Sequence, residues 1–173
     1  MRAVSLALTP HPETPTDFVR TLEVSVQRGG GLVDLRYVLE GAVDRLRVPP
    51  HGLEVRRDEL WKHTCFEAFV APRPQSGYLE LNLAPSGDWA LYSFECYRHG
   101  KASPEAVAPL IHVRRAPQKL VLTATLYLDD ALTRYLALAA VIEDENGRLS
   151  YWALRHPPGK PDFHHPESFV ALP

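Results

Sequence analysis

The sequence predicts an all-β fold, an antiparallel two-sheet β-sandwich of jelly-roll or immunoglobulin-like type with about ten strands and little helix. Three observations predict it. Apolar residues recur with a period of two along much of the chain, which is the pattern of strands with one buried face. Clusters of glycine, proline and asparagine separate these stretches. Because short half-buried strands need a second sheet to cover them, the 173 residues are expected to form one domain over 1–173.

The strands follow from the alternation of apolar and polar residues. Alternating leucines and valines predict strands over 21–27, 33–39, 78–83 and 119–126. Further strands are predicted near 4–8, 44–48, 63–71, 89–97, 110–114, 136–143 and 149–154. Helix is expected only over 129–138, as a turn or two capped by an aspartate.

The pair Asn146-Gly147 predicts a β-hairpin with a two-residue turn, because both residues tolerate the positive φ that a type I′ turn requires. This register places Glu145 opposite Arg148 as a cross-strand charge pair. It also places Trp152 on the more polar face of the hairpin, where either another segment covers the indole or a ligand reaches it.

Composition excludes several classes of partner. A formal net charge of −2 argues against nucleic acid, and no apolar run approaches the roughly 20 residues of a membrane span. The short apolar run at 3–8 ends at Pro10 without an export signal, so a cytoplasmic location is predicted. Cys65 and Cys96 are expected to be buried thiols, and the alternative is a disulfide between them if they fall on facing strands.

Two central strands carry a row of polar side chains. In the strand that begins at His63, alternation places Glu67 with Cys65 and Phe69 on one face. In the strand over 78–83 the leucines take the core, which leaves Tyr78, Glu80 and Asn82 on the other face. If the two strands are neighbours, Glu67 and Glu80 lie close together.

Paired carboxylates of this kind can perform acid–base chemistry on a glycoside. The commoner alternative is that each carboxylate holds an arginine. The sequence contains no nucleophile elbow, P-loop or H-E-x-x-H motif, so the indication of an enzyme is weak.

The densest group of functional side chains lies in the terminal segment over 151–169, YWALRHPPGKPDFHHPESF. Three prolines at 157, 158 and 161 prevent it from pairing as an ordinary strand, so we expect a stiff loop that carries a site. Arg155, His156 and Lys160 are predicted to hold an anion. The alternative is that the two cations pair internally with Asp162 or with a central glutamate.

The terminal segment contains residue types that suit zinc, namely His156, His164 and His165 together with Asp162. Adjacent histidines point apart in an extended segment and rarely ligate one ion. Hydrogen-bonded structural roles are therefore expected for most of them, and no metal is predicted.

Three tryptophans, Trp61, Trp89 and Trp152, are placed at strand ends or on the polar side of a strand. An indole stacks on the apolar face of a pyranose, while acids and amides take its hydroxyls. The alternative is that the tryptophans close the ends of the core. Trp89 follows a Pro-Ser-Gly-Asp turn, which favours its exposure.

Three blocks of the sequence resemble the DOMON-like superfamily, a group of β-sandwiches related to family-nine carbohydrate-binding modules and to haem-binding cytochrome domains. The blocks are LW-x-x-T-x-FEAF over 60–69, Y-x-E-x-N-x-x-PSG-x-W over 78–89, and YWALRHPPGKPDFHH over 151–165. The resemblance is to the small stand-alone bacterial members and spans nearly the whole chain. It implies ten or eleven strands in two sheets and a sugar or haem ligand against one sheet or at its rim.

The chain departs from both groups of relatives. Haem-binding relatives usually use an axial methionine, and the only methionine here is Met1. A haem would therefore need histidine pairs, or a histidine with a lysine, taken from His63, His156, His164 and Lys160. The carbohydrate-binding relatives are normally secreted and joined to an enzyme, whereas this sequence shows neither feature.

The sequence thus predicts a non-catalytic, cytoplasmic protein that binds a small molecule, most simply a sugar or sugar derivative, without a cofactor. The expected ligand-binding residues are Trp61, Glu67, Tyr78, Glu80, Asn82, Trp89, Trp152, Arg155, His156, Lys160, Asp162 and His164. The alternatives are a b-type haem protein, a hydrolase that uses the paired carboxylates or a histidine-bound metal, and a purely structural terminal segment. In the last case Arg155 would anchor the segment, and its loss would cost several kcal/mol, on the order of a broken buried network.

Overall fold

The computed structural model describes residues 3–172, and its fold is all-β and antiparallel. The strands are β1 (Val4–Pro10), β2 (Val19–Gly29), β3 (Leu32–Gly41), β4 (Cys65–Ala71), β5 (Tyr78–Leu83), β6 (Trp89–Phe94), β7 (Leu110–Ala116), β8 (Lys119–Tyr127), β9 (Tyr135–Glu143), β10 (Leu149–Ala153) and β11 (Val170–Ala171). Three single 3₁₀ turns, Val43–Arg45, Leu60–Lys62 and Pro166–Ser168, are the only helical segments in the described range.

The strands form one curled sheet in the order β6-β5-β4-β9-β10-β1-β2-β3-β8-β7, with β11 added beside β9. Strand β1 joins its two halves, because its first part pairs with β2 while Thr9 and Pro10 pair with β10. We call β1-β2-β3-β8-β7 the first half and β10-β9-β4-β5-β6 the second half. The predicted all-β antiparallel class is confirmed, but the strands follow one continuous path instead of two separate sheets.

One apolar core lies between the two halves. Phe66 and Ala68 of β4 belong to the same buried cluster as Val24 of β2 and Leu122 of β8. A hydrogen bond also joins the halves, because the buried Tyr37 hydroxyl of β3 donates to the Glu67 carbonyl oxygen of β4 at 2.8 Å. The inner face of the second half is therefore packed against the first half, which leaves its outer face free of that core.

The outer face of the second half carries its own buried cluster beneath the terminal segment. Phe69 of β4 and Tyr78 of β5 pack there with Phe163 and Phe169 of that segment. Three small residues of β9 and β10 belong to the same cluster, and they are Ala137, Ala139 and Ala153. Alanine side chains leave room for a loop to lie close to a sheet, which explains how the terminal segment covers part of this face.

The alternation predicted for the central strands is confirmed. Strands β4 and β5 are neighbours, with Glu67 opposite Asn82 and Phe69 opposite Glu80. The leucines of β5 face the inner core, and the polar row faces outward with Glu67. This pairing places both predicted carboxylates on the outer face.

The predicted register of the β9–β10 hairpin is wrong by one residue. Asp144 pairs with Arg148 through its backbone N–H, so the loop has three residues, and Gly147 adopts φ +79°. This is the loop in which a turn is followed by a left-handed residue. A shift of one residue exchanges the two faces of a strand. Trp152 therefore faces the inner core, and Tyr151 faces outward.

Other local predictions also need correction. The expected strand over 44–48 is a 3₁₀ turn followed by a single bridge at Leu46, and the segment over 129–133 forms turns before β9 begins at Tyr135. Both cysteines are free thiols; Cys65 is buried and Cys96 is exposed. Within residues 3–172 no helix has the length and apolarity needed to cross a membrane.

Candidate functional site

An open pocket of about 470 Å³ lies on the outer face of the second half, and we call it the sheet-face pocket. Strands supply its floor, the 3₁₀ turn before β4 and the loop after β6 supply two sides, and the terminal segment closes the third. Its lining residues are Trp61, Glu67, Glu80, Arg98, Lys101, Val141, Tyr151, Lys160, Pro161, Phe163 and His164. The structure thus brings the central and terminal sequence blocks into one site.

Two buried glutamates form the floor of the pocket. Glu67 is only 3% exposed, and burial together with the nearby charge of Glu80 raises the pKa of its carboxyl well above the usual range. Burial also raises the pKa of Glu80, although the hydrogen bond from Asn82 and the charge of Lys101 act in the opposite direction. Of the two carboxyl groups, Glu67 is therefore the one that holds its proton more firmly.

The contacts of Asn82 agree with a neutral Glu67. The Asn82 amide Nδ2 donates to Glu80 Oε1 at 2.8 Å. Asn82 Oδ1 and Glu67 Oε1 are both buried without a hydrogen-bond partner among the described residues, and the two residues lie directly opposite each other on paired strands. Two buried acceptors side by side are costly unless a proton lies between them or a ligand donates to them.

A chain of hydrogen bonds orients His164 toward Glu80. The Arg98 backbone N–H donates to the Tyr78 hydroxyl at 3.2 Å, and that hydroxyl is hydrogen-bonded to His164 Nδ1 at 2.7 Å. The other ring nitrogen of His164, Nε2, lies 3.6 Å from Glu80 Oε2. Burial and the positive charge of Arg98 lower the pKa of His164 to about 4, so the ring is neutral at pH 7.

Asp162 supports the pocket from outside. One of its carboxylate oxygens accepts from Arg98 Nη2 at 2.8 Å, and the other accepts from the Tyr97 hydroxyl. Burial acts to raise the pKa of Asp162, but the hydrogen bonds from Tyr97 and Arg98 outweigh it and hold the pKa below its usual value. This side chain fixes both the terminal segment and the Arg98 loop without lining the pocket.

Of the three tryptophans, only Trp61 lines the sheet-face pocket, and this residue is 43% exposed. Trp152 is 3% exposed in the inner core, and its Nε1 donates to Ser150 Oγ at 3.1 Å. Trp89 is also buried in that core and has the Arg56 guanidinium over its ring. The predicted stacking surface is therefore reduced to Trp61, because the inner core takes the other two indoles.

The fold separates the three residues that were predicted to hold an anion together. Lys160 lines the sheet-face pocket, whereas Arg155 and His156 line a different depression beside Pro74 and Glu167. His156 Nε2 donates to the Thr9 carbonyl oxygen of β1 at 2.8 Å, which turns this part of the segment away from the pocket. Although Arg155 and Lys160 lie close in sequence, the fold places them in different depressions.

The four histidine and lysine candidates for haem ligation do not converge. His164 and Lys160 line the pocket, while His156 contacts β1 and His63 Nδ1 contacts Glu143 Oε2 at 2.8 Å. In the described range no three histidine, cysteine or acidic side chains are close enough to hold a metal ion together.

Several pocket residues were not singled out from the sequence. Arg98 and Lys101 follow β6 in a short turn where Arg98 adopts φ +54°, and their direction depends on that turn. Lys101 Nζ lies 3.7 Å from the centroid of the Tyr92 ring on the same outer face. Tyr151 was missed because of the register error. The aromatic position of Phe163 was the one available signal, since it interrupts a charged loop.

Comparison with protein-family models and with curated proteins gave no match. Among solved structures the chain is similar to a candidate carbohydrate-binding protein from Bacteroides uniformis ATCC 8492, with a TM-score of 0.66, 14% identity, and coverage of 97% of this chain and 84% of the other. It is also similar to a family-nine carbohydrate-binding module from Caldicellulosiruptor kristjanssonii in complex with glucose (TM-score 0.54, 11% identity, coverage 90% and 76%). A structure with cellotriose from the same organism gives a TM-score of 0.51 at 10% identity, with coverage of 84% and 70%.

These similarities show a shared fold. They include the carbohydrate-binding modules that the sequence resemblance named, while membership of the DOMON-like superfamily stays a prediction. At 10–14% identity, the residues of the site have to be judged from the geometry of this chain.

Proposed function

We propose that the protein binds a sugar or sugar derivative in the sheet-face pocket without transforming it. The observation that carries the proposal is the joint presence of an exposed indole at the rim and a buried carboxyl oxygen, Glu67 Oε1, that has no partner among the described residues. A sugar has an apolar ring face and a ring of hydroxyl donors, so it fits both features at once.

Each side of the pocket has a role in this arrangement. Trp61 stacks on the apolar face of the sugar, while Glu67 and Glu80 hydrogen-bond to its hydroxyls from below. Tyr78 and Asn82 do not line the pocket, but their hydrogen bonds to His164 and Glu80 fix the polar floor. A floor that is held in place before binding loses less entropy when the ligand arrives.

The fold supports the same conclusion. Two of the similar structures contain glucose or cellotriose, and the third is a candidate carbohydrate-binding protein. We also infer that the two halves of the curled sheet act as the two layers of a β-sandwich, as the DOMON-like resemblance implies, because they enclose one apolar core. The haem alternative and the cytoplasmic location remain predictions from the sequence.

Isothermal titration against a panel of neutral and acidic monosaccharides and short oligosaccharides tests the proposal. We expect saturable binding of at least one sugar, and a loss of about tenfold or more in affinity for Trp61→Ala, about 1.4 kcal/mol. Tyr127→Ala is the matched control, since Tyr127 is also an exposed aromatic residue but lies on β8 in the first half. Absence of heat for every sugar, or equal losses in both variants, would contradict the proposal.

The same experiment addresses a hydrolase, the second candidate that the paired glutamates favour. Analysis of the oligosaccharide after titration is expected to recover it intact. Release of shorter sugars that is lost in both Glu67→Gln and Glu80→Gln would instead assign the two carboxyl groups to glycoside cleavage.

A further inference from the structure

Two of the cations that line the sheet-face pocket make no ion pair within the described residues. Arg98, Lys101 and Lys160 line it as cations. Asp162 pairs with Arg98, and Lys101 lies near enough to Glu80 to lower the pKa of that carboxyl. Lys160 has no carboxylate within 4.0 Å in the described part of the chain, where the ion pairs involve other side chains.

The floor does little to offset these lysines. Burial raises the carboxyl pKa of Glu67 well above its usual value, which favours the neutral form of that group. Burial and the charge of Arg98 lower the pKa of His164 to about 4, so its ring adds no charge at pH 7. Lys101 and Lys160 therefore line the pocket without an ion-pair partner in the described part of the chain.

We propose that the sugar bound in this pocket carries an anionic group, a carboxylate or a phosphate, which is held by Lys160 and Lys101 while the ring hydroxyls meet the two glutamates. The inference rests on the sugar-binding function proposed above and names the class of sugar. Two lysines that line the pocket, one from the loop after β6 and one from the terminal segment, are suited to hold an anion there.

The direction of Lys101 supports this arrangement. Its ammonium lies over the face of Tyr92, whose hydroxyl donates to Asp58 Oδ1 at 2.7 Å. The ring therefore holds the Lys101 ammonium against the outer face of the sheet, beside the pocket. A cation held there, near a buried carboxyl whose pKa is raised, favours a ligand that combines negative charge with hydroxyl groups over a neutral sugar.

Matched sugars test the inference. Glucose, galactose and mannose are each titrated beside the corresponding uronate and 6-phosphate at 20 mM and at 500 mM NaCl. We expect at least one anionic member to bind about tenfold more tightly than its neutral parent at low salt, with a smaller difference at high salt because ions screen the lysines. The uronate and phosphate arms distinguish the two anionic groups.

Lys160→Met and Lys101→Met are expected to reduce the affinity for the anionic sugar about fivefold or more while changing that for the neutral parent less than twofold. Lys119→Met is the control, because Lys119 lies on β8 and pairs with Glu40. If neutral sugars bind as tightly as their anionic partners, the anionic class is wrong and sugar binding stands. If no member of any set binds, the proposed function fails and this inference with it.

Discussion

At the residue scale, the pocket contains a buried acid and a buried base, and burial favours the neutral form of each. Burial disfavours the anion of Glu67 and the cation of His164, so it raises the pKa of the carboxyl and lowers that of the imidazole. For Glu67, the stabilising effect of the raised pKa is present in acid and lost as pH rises through the folded value. For His164, whose pKa is lowered, the contribution to the stability of the folded protein is fully present above pH 6.5 and is lost as the pH falls toward 4.

The behaviour of His164 at low pH gives a prediction. The pKa of His164 falls from 6.5 to about 4 in the folded protein, so the free energy of unfolding should decrease between pH 6.5 and pH 4 by on the order of 3 kcal/mol from this residue. In His164→Gln that part of the decrease should disappear, although the variant is less stable at pH 7 because it loses the bond to Tyr78. Urea unfolding at pH 7.5, 6 and 4.5 measures it.

His112→Gln is the control, because His112 is exposed on β7. An acid limb that is as steep in His164→Gln as in the unmodified protein would show that other groups cause the loss of stability.

At the element scale, the sequence predicted strand faces well where alternation and burial agree. The outward row of β5 and the position of Glu67 follow from the period of two, because each inward neighbour is apolar. The β9–β10 hairpin could not be predicted in the same way. Asn146-Gly147 favours a two-residue turn, but the Asp144 carboxylate accepts the N–H groups of Asn146 and Arg148 and stabilises a three-residue loop instead.

The terminal segment gives the prediction at this scale. Asp162 holds the segment to the Arg98 loop through both carboxylate oxygens, whereas Arg155 is exposed and makes no side-chain hydrogen bond within the described residues. Asp162→Ala should therefore lower the free energy of unfolding by about 1–2 kcal/mol and weaken ligand binding. Arg155→Ala should change the free energy of unfolding by less than about 0.5 kcal/mol.

Hydrogen exchange measures where the segment loosens. We expect faster exchange over 155–169 in Asp162→Ala and unchanged exchange in Arg155→Ala. The reverse order would restore the structural role that the sequence suggested for Arg155.

At the scale of the whole molecule, the sequence indicated both blocks of the site but not how they meet. Side chains from both blocks line one pocket, because β4 and β5 lie side by side and the terminal segment folds back over them. These side chains are Trp61, Glu67, Glu80, Lys160 and His164. Strand order depends on long-range pairing, which a local pattern does not encode. The inward direction of Trp152 was missed for a different reason, which is the one-residue register error in the predicted β9–β10 hairpin.

The joint between the two halves of the sheet gives the last prediction. The Tyr37 hydroxyl crosses the core to the Glu67 carbonyl oxygen, so it supports the strand that carries the pocket floor. Tyr37→Phe keeps the ring but removes this buried donor, which should lower the free energy of unfolding by about 1–3 kcal/mol. Tyr127→Phe, an exposed position on β8, should change it by less than about 0.5 kcal/mol. Equal urea midpoints for the two variants would mean that the Tyr37 hydrogen bond adds nothing to the joint that apolar packing and β1 already make.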